Sequence, residues 1–162
     1  MLRGVYPGTF DPITYGHIDL VKRALLIVDE LILAVALNPT KNPKFSISDR
    51  VEMANQALAD IAVPAGKSIR VESFDGLLVN YMVEKKATVI IRGVRAYSDF
   101  EYEFQMALTN RKFNDAIETI FMMPSESYSY ISSNIIKETA RLGADISPYV
   151  PAHVAKKLKG LK

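Results

Sequence analysis

The chain has no cysteine among its 162 residues. That removes disulfides, thiolate metal sites and thiol nucleophiles together, and it fits a reducing cytoplasm. No apolar run approaches the roughly 20 residues a membrane span requires, and the N-terminus enters a strand-like stretch without a signal-like segment, so a soluble, cytoplasmic protein is expected. Net charge is also scarce: 20 Lys+Arg against 18 Asp+Glu leave +2. So small an excess points away from nucleic acid as a partner, as the missing span points away from membrane. Three functional loops are missing as well. There is no G-x-x-x-x-G-K-[ST] loop, no G-x-G-x-x-G and no G-x-S-x-G elbow, which weakens the usual ATPase, dinucleotide and covalent serine readings.

What is present is 49% hydrophobic residues, enough for one well-buried core and too few for two in a chain of this length. Residues 1–162 are read as one domain that closes with a short basic helix over about 151–160. Strand-like runs at 2–6, 31–37, 69–74, 88–92 and 117–123 alternate with helical periodicity. This alternation predicts a doubly wound, Rossmann-like α/β domain whose five-stranded parallel sheet carries helices on both faces. Ser46 with Asp49, and Ser98 with Glu101, read as helix-capping pairs. A further helix is expected to begin near Asp75, and the serine-rich stretch 129–134 opens one that stops at Gly143. His153 and the lysine-rich tail read as structural and solvated.

In such sheets ligands bind where strand order reverses, at the carboxyl ends of the strands. The residues that suit an anion fall there: Thr9 and His17 after the first strand, Lys41 after the second, Arg92 and Arg95 after the fourth, and the serines before the last long helix. Thr14-x-Gly16-His17 places a histidine in a helix's first turn, where unpaired N–H groups meet an anion. Gly8 and Gly16 allow close approach, and Pro7 and Pro12 stiffen the loop. With no nucleophile–base pair in view, the residues suit direct transfer between two anionic substrates. His17 and Lys41 would neutralise charge on the phosphorus under attack.

Thr14-x-Gly16-His17 and Ile131-Ser-Ser133 resemble the nucleotidyltransferase superfamily. Together with the stretch from Tyr6 to His17, Ile91-Arg-Gly-Val-Arg95 and Asp99-Phe-Glu-Tyr-Glu103, they resemble the bacterial phosphopantetheine adenylyltransferase family along nearly the whole chain. The resemblance implies transfer of the adenylyl group of ATP to 4′-phosphopantetheine, giving dephospho-coenzyme A and pyrophosphate, with magnesium as cofactor and a homohexameric assembly. It implies that His17 stabilises the transition state, and that Thr9 and Phe10 lie where the two substrates join. Lys41, Leu78 and Arg92 would contact phosphopantetheine. Gly93, Val94, Arg95, Glu103, Tyr128, Ser129, Tyr130, Ile131, Ser132, Ser133 and Asn134 would surround ATP, with Glu103 accepting from ribose or base. Asn38 and Asn134 stand where the family more often has serine. Competing readings are another nucleotidyltransferase, a synthetase fragment, and a nucleotide sensor without turnover.

Overall fold

The computed structural model describes residues 1–95 and 97–160. Five parallel strands, β1 (Arg3–Gly8), β2 (Glu30–Ala36), β3 (Ser68–Phe74), β4 (Val89–Gly93) and β5 (Glu118–Met122), form one sheet in the order β3-β2-β1-β4-β5. Among the described residues six α-helices connect and follow them: α1 (Tyr15–Ile27), α2 (Ile47–Ala59), α3 (Leu78–Glu84), α4 (Tyr97–Phe113), α5 (Ser133–Arg141) and α6 (Ala152–Lys159). The five expected strands and the doubly wound arrangement are all present, with ends displaced by no more than two residues.

Alternation along the strands builds two cores. In β2, Leu31, Leu33 and Val35 face α1, α2, α5 and α6, while Ile32 and Ala34 face Val79, Tyr81 and Met82 of α3. Side chains of opposite parity leave opposite faces of a strand, so an uninterrupted apolar run marks a strand covered twice. Full burial of each leucine, isoleucine or valine among them stabilises by about 1.5–3 kcal/mol. The edge strand β3, at only partial burial, is correspondingly polar.

Helix starts follow their capping chemistry. Ser46 accepts from the Asp49 N–H and opens α2 as expected. The helix anticipated near Asp75 begins three residues later, because Gly76 takes φ +84 in a turn and Leu77 becomes the cap. α4 has already begun at Tyr97, so the anticipated start at Ser98 falls inside it; the Ser98 side chain lies outside the described residues. Gly143, at φ +85, ends α5. α6 buries Val154, Ala155 and Leu158, and the His153 ring bonds the Met53 carbonyl at 3.0 Å, a structural contact. No described helix is long and apolar enough to cross a membrane.

The topology opens a gap beside β1. Pairing of β1 with β4 covers Gly4 and Val5, while pairing with β2 continues to Gly8. Pro7 has no N–H to offer, and its carbonyl accepts instead from the Arg92 side chain at 2.7 Å. The chain runs outward to β2 and β3 on one side of β1, and to β4 and β5 on the other. Strand order therefore reverses where the first and fourth loops part.

Candidate active site

A cleft of about 600 Å³ occupies this reversal point. The loop after β1 forms its floor. Phe10 has φ +48, an unusual conformation for an aromatic residue that such sites can retain. Its ring packs edge-on against Tyr6 at 5.3 Å and against His17 at 5.1 Å. Gly8 leaves room for that ring, since a Cβ there would stand 2.9 Å from Phe10 Cζ.

Thr14 caps α1, and His17 is its third residue. The Thr14 side chain accepts from the His17 N–H, while the Thr14 N–H donates to His17 Nδ1 at 3.0 Å. A ring nitrogen that accepts from an amide carries no proton, so the neutral ring bears its hydrogen on Nε2. Burial first, and then the Arg95 charge, lower the His17 pKa to about 4. At neutral pH His17 is an uncharged donor on the cleft wall, at a helix N-terminus.

Lys41 comes from the loop after β2. Asn38 turns the chain with φ +37, its side chain accepts from the Thr40 hydroxyl at 2.7 Å, and its carbonyl accepts from the Lys41 N–H at 3.2 Å. Asparagine tolerates this left-handed geometry better than most residues. The exposed Lys41 lines the same cleft as His17.

Also lining the cleft, Arg92 at the end of β4 meets Glu103 of α4. Arg92 Nε donates to Glu103 Oε2 at 2.6 Å and Nη2 donates to Oε1, a two-pronged pair. Burial opposes the charge on Arg92, yet hydrogen bonding to Glu103 and its negative charge outweigh that and raise the pKa. The two residues, read from sequence as separate ligand contacts, thus hold each other. A Cβ on Gly93 would run into Leu20 Cδ1, so glycine here lets α1 lie close to β4. Arg95 Nη1 donates to the Ile131 carbonyl at 3.1 Å.

The fourth wall is the start of α5. Ser132 caps the helix, accepting from the Ile135 N–H at 3.1 Å, and Ser133 Oγ donates to the Pro12 carbonyl at 2.8 Å. The serines thus fasten the helix start to the first loop as well as facing the cleft. Of the residues singled out from sequence, Thr9, Phe10, His17, Lys41, Arg92, Gly93, Arg95, Glu103, Tyr128, Ile131, Ser132, Ser133 and Asn134 line this one cleft. Leu78, Val94, Ser129 and Tyr130 do not: Val94 is buried, Ser129 bonds the Glu126 carbonyl, and Tyr130 packs on Tyr149.

Lining residues given no role from the sequence include Tyr6, Asp11, Leu20, Tyr102, Pro124 and Lys137. Asp11 is buried and accepts from Lys137 Nζ at 2.5 Å. Lys137 stands four residues after Ser133 and so on the same helix face. Among the described residues no group of three His, Asp or Glu could hold a metal. The carboxylates of Asp11 and Glu103 already serve Lys137 and Arg92.

A family model described as cytidylyltransferase-like matches residues 5–139. The chain is 51% identical over 154 residues to the phosphopantetheine adenylyltransferase of Caldanaerobacter subterraneus subsp. tengcongensis, covering 95% of this chain and 93% of that one. It is 54% identical over 155 residues to the protein of that name from Rhodospirillum centenum, covering 96% and 84%. A solved structure from Vibrio parahaemolyticus, provisionally designated a nicotinate-nucleotide adenylyltransferase, shares the fold with TM-score 0.70 at 16% identity, covering 98% of this chain and 99% of that one.

Proposed function

The chain belongs to the cytidylyltransferase-like family and, within it, to the phosphopantetheine adenylyltransferases, and from that premise we infer how its cleft works. It transfers the adenylyl group of ATP to 4′-phosphopantetheine, forming dephospho-coenzyme A and pyrophosphate in coenzyme A synthesis. In the reading proposed here an oxygen of the acceptor phosphate attacks the α-phosphorus of ATP directly. One P–O bond forms as the bond to the pyrophosphate oxygen breaks, and the protein forms no covalent bond to the nucleotide.

The observation that carries this reading is the neutral His17 with Nε2–H at a helix N-terminus, in one cleft with Lys41. A neutral donor stabilises developing charge on a nonbridging oxygen without competing for a proton, and Lys41 would add full charge from the same cleft. Thr9 and Phe10 would sit at the join between the substrates. Arg92, aimed by Glu103 and Pro7, would grip the acceptor phosphate. Gly93, Arg95, Glu103 and residues 128–134 would take ATP. Glu103 can still accept from a ribose hydroxyl, because each carboxylate oxygen has two lone pairs. For Leu78, Val94, Ser129 and Tyr130 the support is the family pattern alone.

Magnesium fits as an ion carried by the nucleotide. With the cleft carboxylates engaged, the described residues supply no cage, and phosphate oxygens and water would hold the ion. We place the protein in the cytoplasm and assign it a homohexamer. Self-association is supported by α4, which is apolar on several sides and exposes Phe104, Leu108 and Phe113. The test is to follow pyrophosphate release and dephospho-coenzyme A formation over paired nucleotides and acceptors. ATP with 4′-phosphopantetheine is expected to give both products in equal amounts. Turnover confined to a different pair would overturn the assignment.

A further inference from the structure

Arg50, in α2, is 1% exposed, yet its guanidinium is committed to main-chain carbonyls. Nη1 donates to Thr9 and Ala36, each at 2.8 Å, Nη2 to Leu37 at 3.3 Å, and Nε to Phe45 at 3.2 Å. These carbonyls are not a random set. Ala36 and Leu37 begin the loop that carries Lys41, Phe45 ends it, and Thr9 belongs to the loop that leads to His17. One rigid planar group therefore closes both ends of the Lys41 loop and ties it to the His17 loop.

Asp11 completes the arrangement from the other side. Its carboxylate accepts from the Lys44 and Phe45 N–H groups, both at 2.9 Å. The Phe45 peptide is thus held at its N–H by Asp11 and at its carbonyl by Arg50. Burying a guanidinium against carbonyls is costly compared with an apolar filler, so its presence here calls for a geometric reason. Five donors in a fixed fork can fix several carbonyls at once, which the single ammonium of lysine does not reproduce.

We propose that Arg50 and Asp11 are positioning residues that clamp Phe45 between them and thereby set the Lys41 ammonium against the His17 imidazole for adenylyl transfer. The inference rests on the adenylyltransferase reading for its kinetic part. Misplacing a catalytic group by about 1 Å can cost on the order of 100-fold in rate.

The test compares Arg50→Lys and Asp11→Asn, each in the parent chain and in Lys41→Ala, at saturating ATP and 4′-phosphopantetheine. In the parent background each is expected to lower kcat by roughly 10- to 100-fold with the ATP KM within about 3-fold. In Lys41→Ala each should change the remaining rate by less than about 3-fold, because the group being aligned is gone. Hydrogen exchange adds a readout independent of activity: amides of 38–45 should exchange faster in both variants while those of α1 do not. Equal losses in both backgrounds, unchanged kcat in the parent, or unchanged exchange at 38–45 would each overturn the proposal. So would failure of both variants to fold, since the clamp would then be a folding requirement. A parent chain without turnover would sink the functional reading instead, and exchange would still decide the clamp.

Discussion

His17 owes its chemistry to what surrounds it. The Thr14 N–H occupies Nδ1, and burial followed by the Arg95 charge brings the pKa from 6.5 to about 4. The imidazole is therefore neutral throughout the working range, and the kcat profile between pH 6 and 8 is expected to contain no His17 ionisation. A step near pH 6.5 that vanished in His17→Ala would contradict this. Stability follows with a definite sign. Below pH 6.5 the unfolded chain binds a proton that the folded site refuses, so this contribution is complete above 6.5 and is lost as pH falls toward about 4, on the order of 3 kcal/mol in all. Urea unfolding at pH 7 and pH 4.5, for the parent and His17→Ala, measures it. Gly8→Ala acts through packing: the new methyl drives the Phe10 ring toward His17, with an expected loss of about 1–3 kcal/mol in stability and a fall in kcat at little-changed ATP KM. At this scale the sequence was readable where function is local. The cap, the glycines and His17 lie within ten residues, whereas the Arg92–Glu103 pair joins two elements and could not be inferred from either residue alone.

At the scale of elements, the site is a set of helix and strand ends fastened to one another. α5 starts on Ser132 and is tied to the first loop through Ser133 and Pro12. Removing the cap with Ser132→Ala is expected to cost about 1 kcal/mol of stability and to raise the ATP KM more than it lowers kcat. Thermal melts and a nucleotide titration check both. β4 and α4 are joined by Arg92 and Glu103. Glu103→Gln keeps the shape but loses the two-pronged charge, so the 4′-phosphopantetheine KM should rise roughly tenfold, about 1.4 kcal/mol. An unchanged KM would mean that Arg92 aims itself. Helix and strand existence was legible because burial imposes periods of 3.6 and 2 on the apolar residues. Their ends were less so: α3 starts late because the Gly76 turn intervenes, and β1 runs on to Gly8 because β2 still pairs with it after β4 has stopped.

For the whole molecule, the decisive feature is the reversal of strand order beside β1, which gathers four loops into one cleft. The alternation of strands and helices made that legible, and the position of the cleft followed from the topology. The clamp from Arg50 was not legible, since a buried arginine in an amphipathic helix reads as surface until its carbonyl partners are assembled around it. The apolar exterior of α4 belongs to this scale too. Leu108→Glu with Phe113→Glu is expected to convert the proposed homohexamer to smaller species by light scattering, and a monomeric parent would contradict that proposal. The central claim is that His17 and Lys41 act on one phosphorus in this cleft. Single-turnover formation of dephospho-coenzyme A by the parent, His17→Ala, Lys41→Ala and the double variant tests it most directly. Each single change should slow the chemical step by roughly 100-fold or more with ATP binding largely kept, and the double should lose less than the product of the two. Fully multiplicative losses, or a step unaffected by either change, would mean that the two side chains do not share a transition state.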